Sequence, residues 1–185
     1  MSLCDARGLS FPISDGPVRP NPENTMLIVP LQHEHIEPLT QALYAQWHDF
    51  APWSSPEKIR AYYETCLDSG LILPQAFAAV DKHGRLAGTA ALKRHDIAAL
   101  SQYEYWLGDV FVMPSHRGQG AGRLLVSHCL EAARRLQLPE LYLYTPDVQA
   151  VYAKFGWREI GRHWHNGEEV SVMRLDLGGT GKQAV

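Results

Sequence analysis

Cysteine is scarce in this sequence. Cys4, Cys66 and Cys129 are the three present, far apart and without a Cys-x-x-Cys pair. That spacing offers neither a disulfide framework nor a cysteine zinc site, and free thiols fit a reducing cytoplasm. No apolar run approaches the roughly 20 residues needed to cross a bilayer. Met1–Asn24 shows no basic stretch leading into an apolar one, so no secretory signal is expected there. The net charge is only −3, which argues against general attraction to nucleic acid or an anionic membrane. Any anionic ligand has to be held by local geometry.

What is present suits one globular domain. The chain has 185 residues, within the usual range of about 100–200 for a single domain. Residues 1–24 carry Pro12, Pro17, Pro20 and Pro22 without periodicity, so a flexible tail is expected, followed by a domain over 25–177 and a fraying tail over 178–185. A short strand is expected over 25–31. Ile36, Leu39, Leu43 and Trp47 then recur at helical spacing over 33–49. A second helix is expected from Pro56 to about Asp68, with Ser54 or Ser55 as its N-cap.

The period then drops to two. Residues 75–81 and 86–94 read as strands joined at Lys82–Arg85 by a turn with Gly84 at the position permitting positive φ. Residues 103–113 form a longer aromatic and β-branched strand, followed by a glycine-rich turn and a helix from about Gly120 to Gln137. That helix aligns Leu125, Cys129, Ala132 and Leu136 on one face, with Arg123, Glu131 and Arg135 toward water. Cys129 therefore reads as a small core residue. A strand over 141–145 ends at Pro146, Asp147 is expected to cap a short helix to Phe155, and Gly156 ends that helix. Two strands, 157–163 and 169–177, close on Asn166-Gly167. The expected fold is α/β, with a mixed, mostly antiparallel central sheet and flanking helices.

The segment 110–122, VFVMPSHRGQGAG, carries the most chemistry. It runs from a strand through glycines into a helix start, where backbone N–H groups lack internal partners and the helix dipole is positive, so phosphate is attracted. Gly118, Gly120 and Gly122 remove side chains that would hold a ligand away, and Arg117 adds positive charge. A Walker A loop needs Gly-Lys-Ser/Thr, which is absent. A dinucleotide fingerprint needs GxGxxG, and this turn reads GxGxG.

The stretch Arg117-Gly118-Gln119-Gly120-Ala121-Gly122 resembles the Gln/Arg-x-x-Gly-x-Gly/Ala signature of the GNAT superfamily of N-acetyltransferases. Tyr152-Ala153-Lys154-Phe155-Gly156-Trp157 resembles that family's Tyr-x-Lys-x-Gly-Phe/Trp, one helix and one strand later. The resemblance covers roughly residues 25–177. It implies a sheet splayed between strands four and five, with acetyl-CoA as acetyl donor and no metal. The pantetheine arm would bond to backbone around Val110, Phe111 and Val112. Arg117, Gly118, Gln119, Gly120, Ala121 and Gly122 would hold the pyrophosphate.

The implied reaction is direct attack of an amine on the thioester, with Tyr152 protonating the departing sulfur. Packing in the core is the other reading of Tyr152. In many members a Glu lies six residues before the strand-ending Val. Counted from Val112 that position is Trp106, and Glu104, of the same strand parity, is the candidate base. Asp109, or deprotonation through water, are the alternatives, with Asp109 also readable as a surface carboxylate. Thr145 stands near where an Asn often contacts the cofactor. The implied partner is a small-molecule or peptide amine, with a homodimer left open. A non-catalytic acetyl-CoA sensor of the same fold is the rival reading.

Among nine histidines, His33-Glu34-His35 and His163-Trp164-His165 invite a metal reading. No third ligand is linked to either by motif, so solvated surface histidines are expected. The aromatic run Trp47–Trp53 has two readings, acceptor recognition or packing against the sheet.

Overall fold

Nearly continuous apolar runs give the central strands two apolar faces, and helices cover both,. The computed structural model describes residues 26–49, 51–67 and 72–178. Its elements are β1 (Leu27–Pro30), α1 (His33–Trp47), α2 (Pro56–Leu67), β2 (Gln75–Val80), β3 (Leu86–Arg94), β4 (Tyr105–Val112), α3 (Ala121–Arg135), β5 (Glu140–Thr145), α4 (Gln149–Ala153), β6 (Arg158–His165) and β7 (Glu168–Asp176). Their order is the one expected from the sequence. The expected tails fall outside the described residues, apart from Gly178.

The strands form one seven-stranded sheet in the order β1-β2-β3-β4-β5-β7-β6. Only β4 and β5 run parallel; the other neighbours are antiparallel. On one face, Leu107, Val110 and Val112 of β4 and Leu141 and Leu143 of β5 pack with Leu125, Cys129 and Ala133 of α3. On the other, Trp106, Phe111, Tyr142 and Tyr144 pack with Ile36, Leu39 and Leu43 of α1 and with Ile59 and Tyr63 of α2. Leu39, Leu125 and Leu141 are 0% exposed, so burying each stabilises the fold by about 1.5–3 kcal/mol.

Local chemistry sets the ends of these elements. The Ser55 hydroxyl accepts the Lys58 amide at 3.3 Å, capping α2,. Asn166 and Gly167 both take positive φ, 51° and 88°, as a two-residue hairpin with right-handed strand twist requires,. Two expectations are corrected. Asp147 does not cap α4: the N-cap is Val148, and the Thr145 hydroxyl accepts the Val148 amide at 3.3 Å, because the turn after Pro146 brings that amide back over β5. His35 is not a solvated surface residue: it is 5% exposed, and its Nδ1 accepts the Gln32 amide at 3.0 Å at the start of α1.

Candidate active site

The site begins with one extra residue in β4. Gly108 pairs with Ala91 and Phe111 with Thr89, so three steps on β4 match two on β3, a β-bulge. Asp109 sits in it at φ 54°, a left-handed conformation that Asp tolerates better than bulkier residues. The bulge reverses strand parity. Trp106 and Phe111, an odd number of residues apart, both reach the α1/α2 face, while Leu107 and Val110 share the α3 face. Gly88 lies beside this distortion, and a Cβ added there would run into the Phe111 carbonyl.

Asp109 is no surface carboxylate. It is 2% exposed, bonded by Lys93 Nζ at 2.8 Å and by the Tyr62 hydroxyl of α2. Lys93 also pairs with Asp96 at 2.9 Å. Burial alone would raise the Asp109 pKa, but the Lys93 charge and the bonds from Lys93 and Tyr62 outweigh it and hold the carboxyl below its usual range,.

β4 and β5 are in register at one position, Trp106 opposite Tyr142. Beyond it the strands part, leaving Val110, Phe111 and Val112 with β3 as their sheet neighbour. The glycine turn follows directly. Gly118 and Gly120 take φ 74° and 89°, and Gly120 is the N-cap of α3. The first α3 bond runs from Leu124 N to Gly120 O, so the amides of Ala121, Gly122 and Arg123 precede any intrahelical acceptor. A Cβ built on Gly120 meets nothing within 4 Å. Open space over a glycine helix start fits a pyrophosphate.

Two further contacts shape the turn. Arg117 donates from Nε to the Val112 carbonyl at 3.3 Å and from Nη2 to Gln46 Oε1 of α1 at 2.7 Å, so its guanidinium spans from the turn to α1. Gln119 Nε2 donates to the Ser115 carbonyl at 2.9 Å. His116, 8% exposed, sits 3.4 Å from Asp81 Oδ2, tying the turn to the β2–β3 hairpin. Sequence reading singled out neither Gln46 nor the Asp81–His116 pair. Both depend on chain distant in sequence, which no local signal reveals.

Tyr152 lies on the α3 side of the sheet, 2% exposed, with its ring edge-on to Trp157 at 6.3 Å. Glu104 precedes β4, and its carboxylate pairs with Arg94 at 2.9 Å on a part-exposed rim. Thr145 is buried and holds the β5–α4 turn. Trp47 packs edge-on against Phe111 at 5.3 Å, and Trp53 stacks on Tyr63 at 5.9 Å. Trp47 and Trp53 thus pack against the sheet face on the same side as Asp109, while Phe50 lies outside the described residues.

Among the described residues no helix is long and apolar enough to cross a membrane, and no three potential metal ligands converge.

Residues 38–157 match the model of the acetyltransferase (GNAT) family. The chain belongs to that family. It is similar to a streptothricin acetyltransferase of Streptomyces lavendulae, 32% identical over 96 residues; the match covers 47% of this chain and 46% of that protein. Its fold is similar to that of a spermidine N-acetyltransferase from Vibrio cholerae solved with CoA and spermine, at TM-score 0.65 and 16% identity, covering 83% of this chain and 96% of that one. YncA of Salmonella typhimurium, solved with acetyl-CoA, matches at TM-score 0.65 and 18% identity, over 87% of this chain and 97% of that one.

Proposed function

We propose that this protein transfers the acetyl group of acetyl-CoA to a primary amine of a small molecule or peptide, in a ternary complex. The observation that carries this reading is the open Gly118–Gly120 turn at the start of α3, next to the gap between β4 and β5. Arg117, Gly118, Gln119, Gly120, Ala121 and Gly122 hold the pyrophosphate, and backbone around Val110, Phe111 and Val112 bonds to the pantetheine arm.

The neutral amine attacks the carbonyl carbon, the C–N bond forms, and the C–S bond breaks. Tyr152 gives its proton to the departing sulfur, and the surplus amine proton leaves through water or a nearby carboxylate. Glu104 is the candidate carboxylate by strand parity, although its salt bridge to Arg94 competes with that task. Similar proteins named for streptothricin and for spermidine, a polyamine, support a small basic acceptor.

The test is thiol release from acetyl-CoA with a panel of polyamines, aminoglycosides, amino acids and peptides. Turnover with at least one amine is expected. Acetyl-CoA binding without turnover on any amine selects the sensor reading instead. That reading is favoured by one observation, the engagement of Glu104 with Arg94.

A further inference from the structure

We infer that the hydroxyls of Tyr63 and Tyr144 bind the acceptor, and that the acceptor is a cationic amine with no carboxylate beside its reacting nitrogen. This rests on the acetyltransferase reading above and narrows its substrate class.

Tyr63, on α2, and Tyr144, on β5, are 0% and 3% exposed. Both hydroxyl oxygens are buried without a hydrogen-bond partner. Leaving a buried hydroxyl unpaired costs the full desolvation of that group, so such atoms call for an explanation, and an absent ligand is one. Their positions favour that explanation. Tyr144 stands two residues beyond Tyr142, the last residue of β5 in register with β4, so it lies where the two strands part. Tyr63 approaches the same sheet face from α2.

The Asp109 charge acts on both. Burial first, and then the Asp109 charge, hold both phenols well above their ordinary pKa. They therefore keep their protons near neutral pH, available both to donate and to accept a hydrogen bond. The surroundings suit an ammonium. The protein's own Lys93 ammonium rests 5.6 Å from the Tyr62 ring centroid, the cation–π arrangement an incoming amine would share, while donating to carboxylate oxygens of Asp96 and Asp109. A substrate carboxylate brought to the same cluster would face two carboxylates, Asp96 and Asp109, against the single Lys93 cation,. Tyr152 lies on the opposite face of the sheet, so donor and acceptor would meet through the gap from two sides.

The experiment compares matched amines differing only by the carboxylate beside the aliphatic amine: agmatine with arginine, histamine with histidine, and tyramine with tyrosine. For every pair that turns over, kcat/KM is expected to favour the decarboxylated member by about tenfold or more. On the best acceptor, Tyr63→Phe and Tyr144→Phe are each expected to raise the acceptor KM by about tenfold, with the acetyl-CoA KM unchanged and the melting temperature unchanged or higher. Equal use of both members, preference for the amino acid, or unchanged acceptor KM in both Phe variants overturns the inference while leaving acetyl transfer standing. Acetyl-CoA binding with no transfer to any amine overturns both. If a Phe variant loses its melting transition, the matched pairs on the unaltered protein decide the matter.

Discussion

Lys93 Nζ lies 2.8 Å from Asp109 Oδ1, with side chains only 12% and 1% exposed, so one buried ion pair pins the β4 bulge to β3. Breaking such a pair from one side leaves an uncompensated buried charge. Lys93→Met is expected to cost about 3–5 kcal/mol in urea denaturation. Asp109→Asn in the same background, which keeps a residue tolerant of positive φ, is expected to restore part of that loss.

The same pair sets an acid limb. The folded Asp109 pKa lies below its ordinary value, so its contribution to stability is present above the unfolded pKa of about 3.9 and is lost as pH falls through the depressed folded value. Without Lys93, burial dominates and raises the folded pKa. Acid unfolding of Lys93→Met is therefore expected to begin at higher pH than in the unaltered protein, as followed by circular dichroism. An unmoved acid limb would show that Lys93 does not hold the Asp109 charge.

His165 titrates in a separate window. Its ring packs edge-on to Tyr144 at 4.9 Å, and burial, followed by charge repulsion that includes His163, depresses its pKa to about 4. The unfolded chain takes up this proton more readily, near pH 6.5. Its effect on stability is therefore absent above about 6.5 and grows unfavourable down to about 4. His165→Gln is expected to flatten the stability profile between those limits, and an identical slope would rule the titration out.

Gly120 and Gly84 make a matched pair of probes. Both have positive φ, 89° and 76°, and open space where a Cβ would stand, but Gly120 caps α3 and Gly84 turns the β2–β3 hairpin. Alanine at either is expected to cost about 1–2 kcal/mol of backbone strain. Only Gly120→Ala should also weaken acetyl-CoA binding, by about tenfold, because its methyl group would stand over the amides proposed to take the pyrophosphate. Equal affinity in the two variants, measured by calorimetry, would move the phosphate site elsewhere.

Tyr152→Phe keeps a 2%-exposed ring against Trp157 and removes only the hydroxyl. Stability and acetyl-CoA affinity are expected to stay nearly normal while kcat falls by about 10²–10³, the range for losing one acid catalyst or one aimed hydrogen bond. Full activity would remove Tyr152 from the reaction. Parallel loss of folding and turnover would return it to the core.

Among the described residues, the strands, the helices α1–α4 and the glycine turn were legible in the sequence because each rests on local chemistry. Periods of two and 3.6 sort apolar residues onto faces, Ser55 caps a helix, and Asn166-Gly167 turns a hairpin whatever the rest of the chain does. Cys129 followed the same logic into the core. The face proposed for the acceptor was not legible. Uniform alternation along β4 would place Asp109 opposite Trp106, yet one extra residue in the strand swings it onto the same face, and only pairing with β3 registers that residue as extra. The partners Lys93 and Tyr62, the Arg117–Gln46 link and the unpaired hydroxyls of Tyr63 and Tyr144 join segments distant in sequence, so they exist only once the sheet has closed between its two helical layers. Local periodicity determined the elements; the burial of charge and hydroxyls between those layers, which depends on tertiary packing, decided the site.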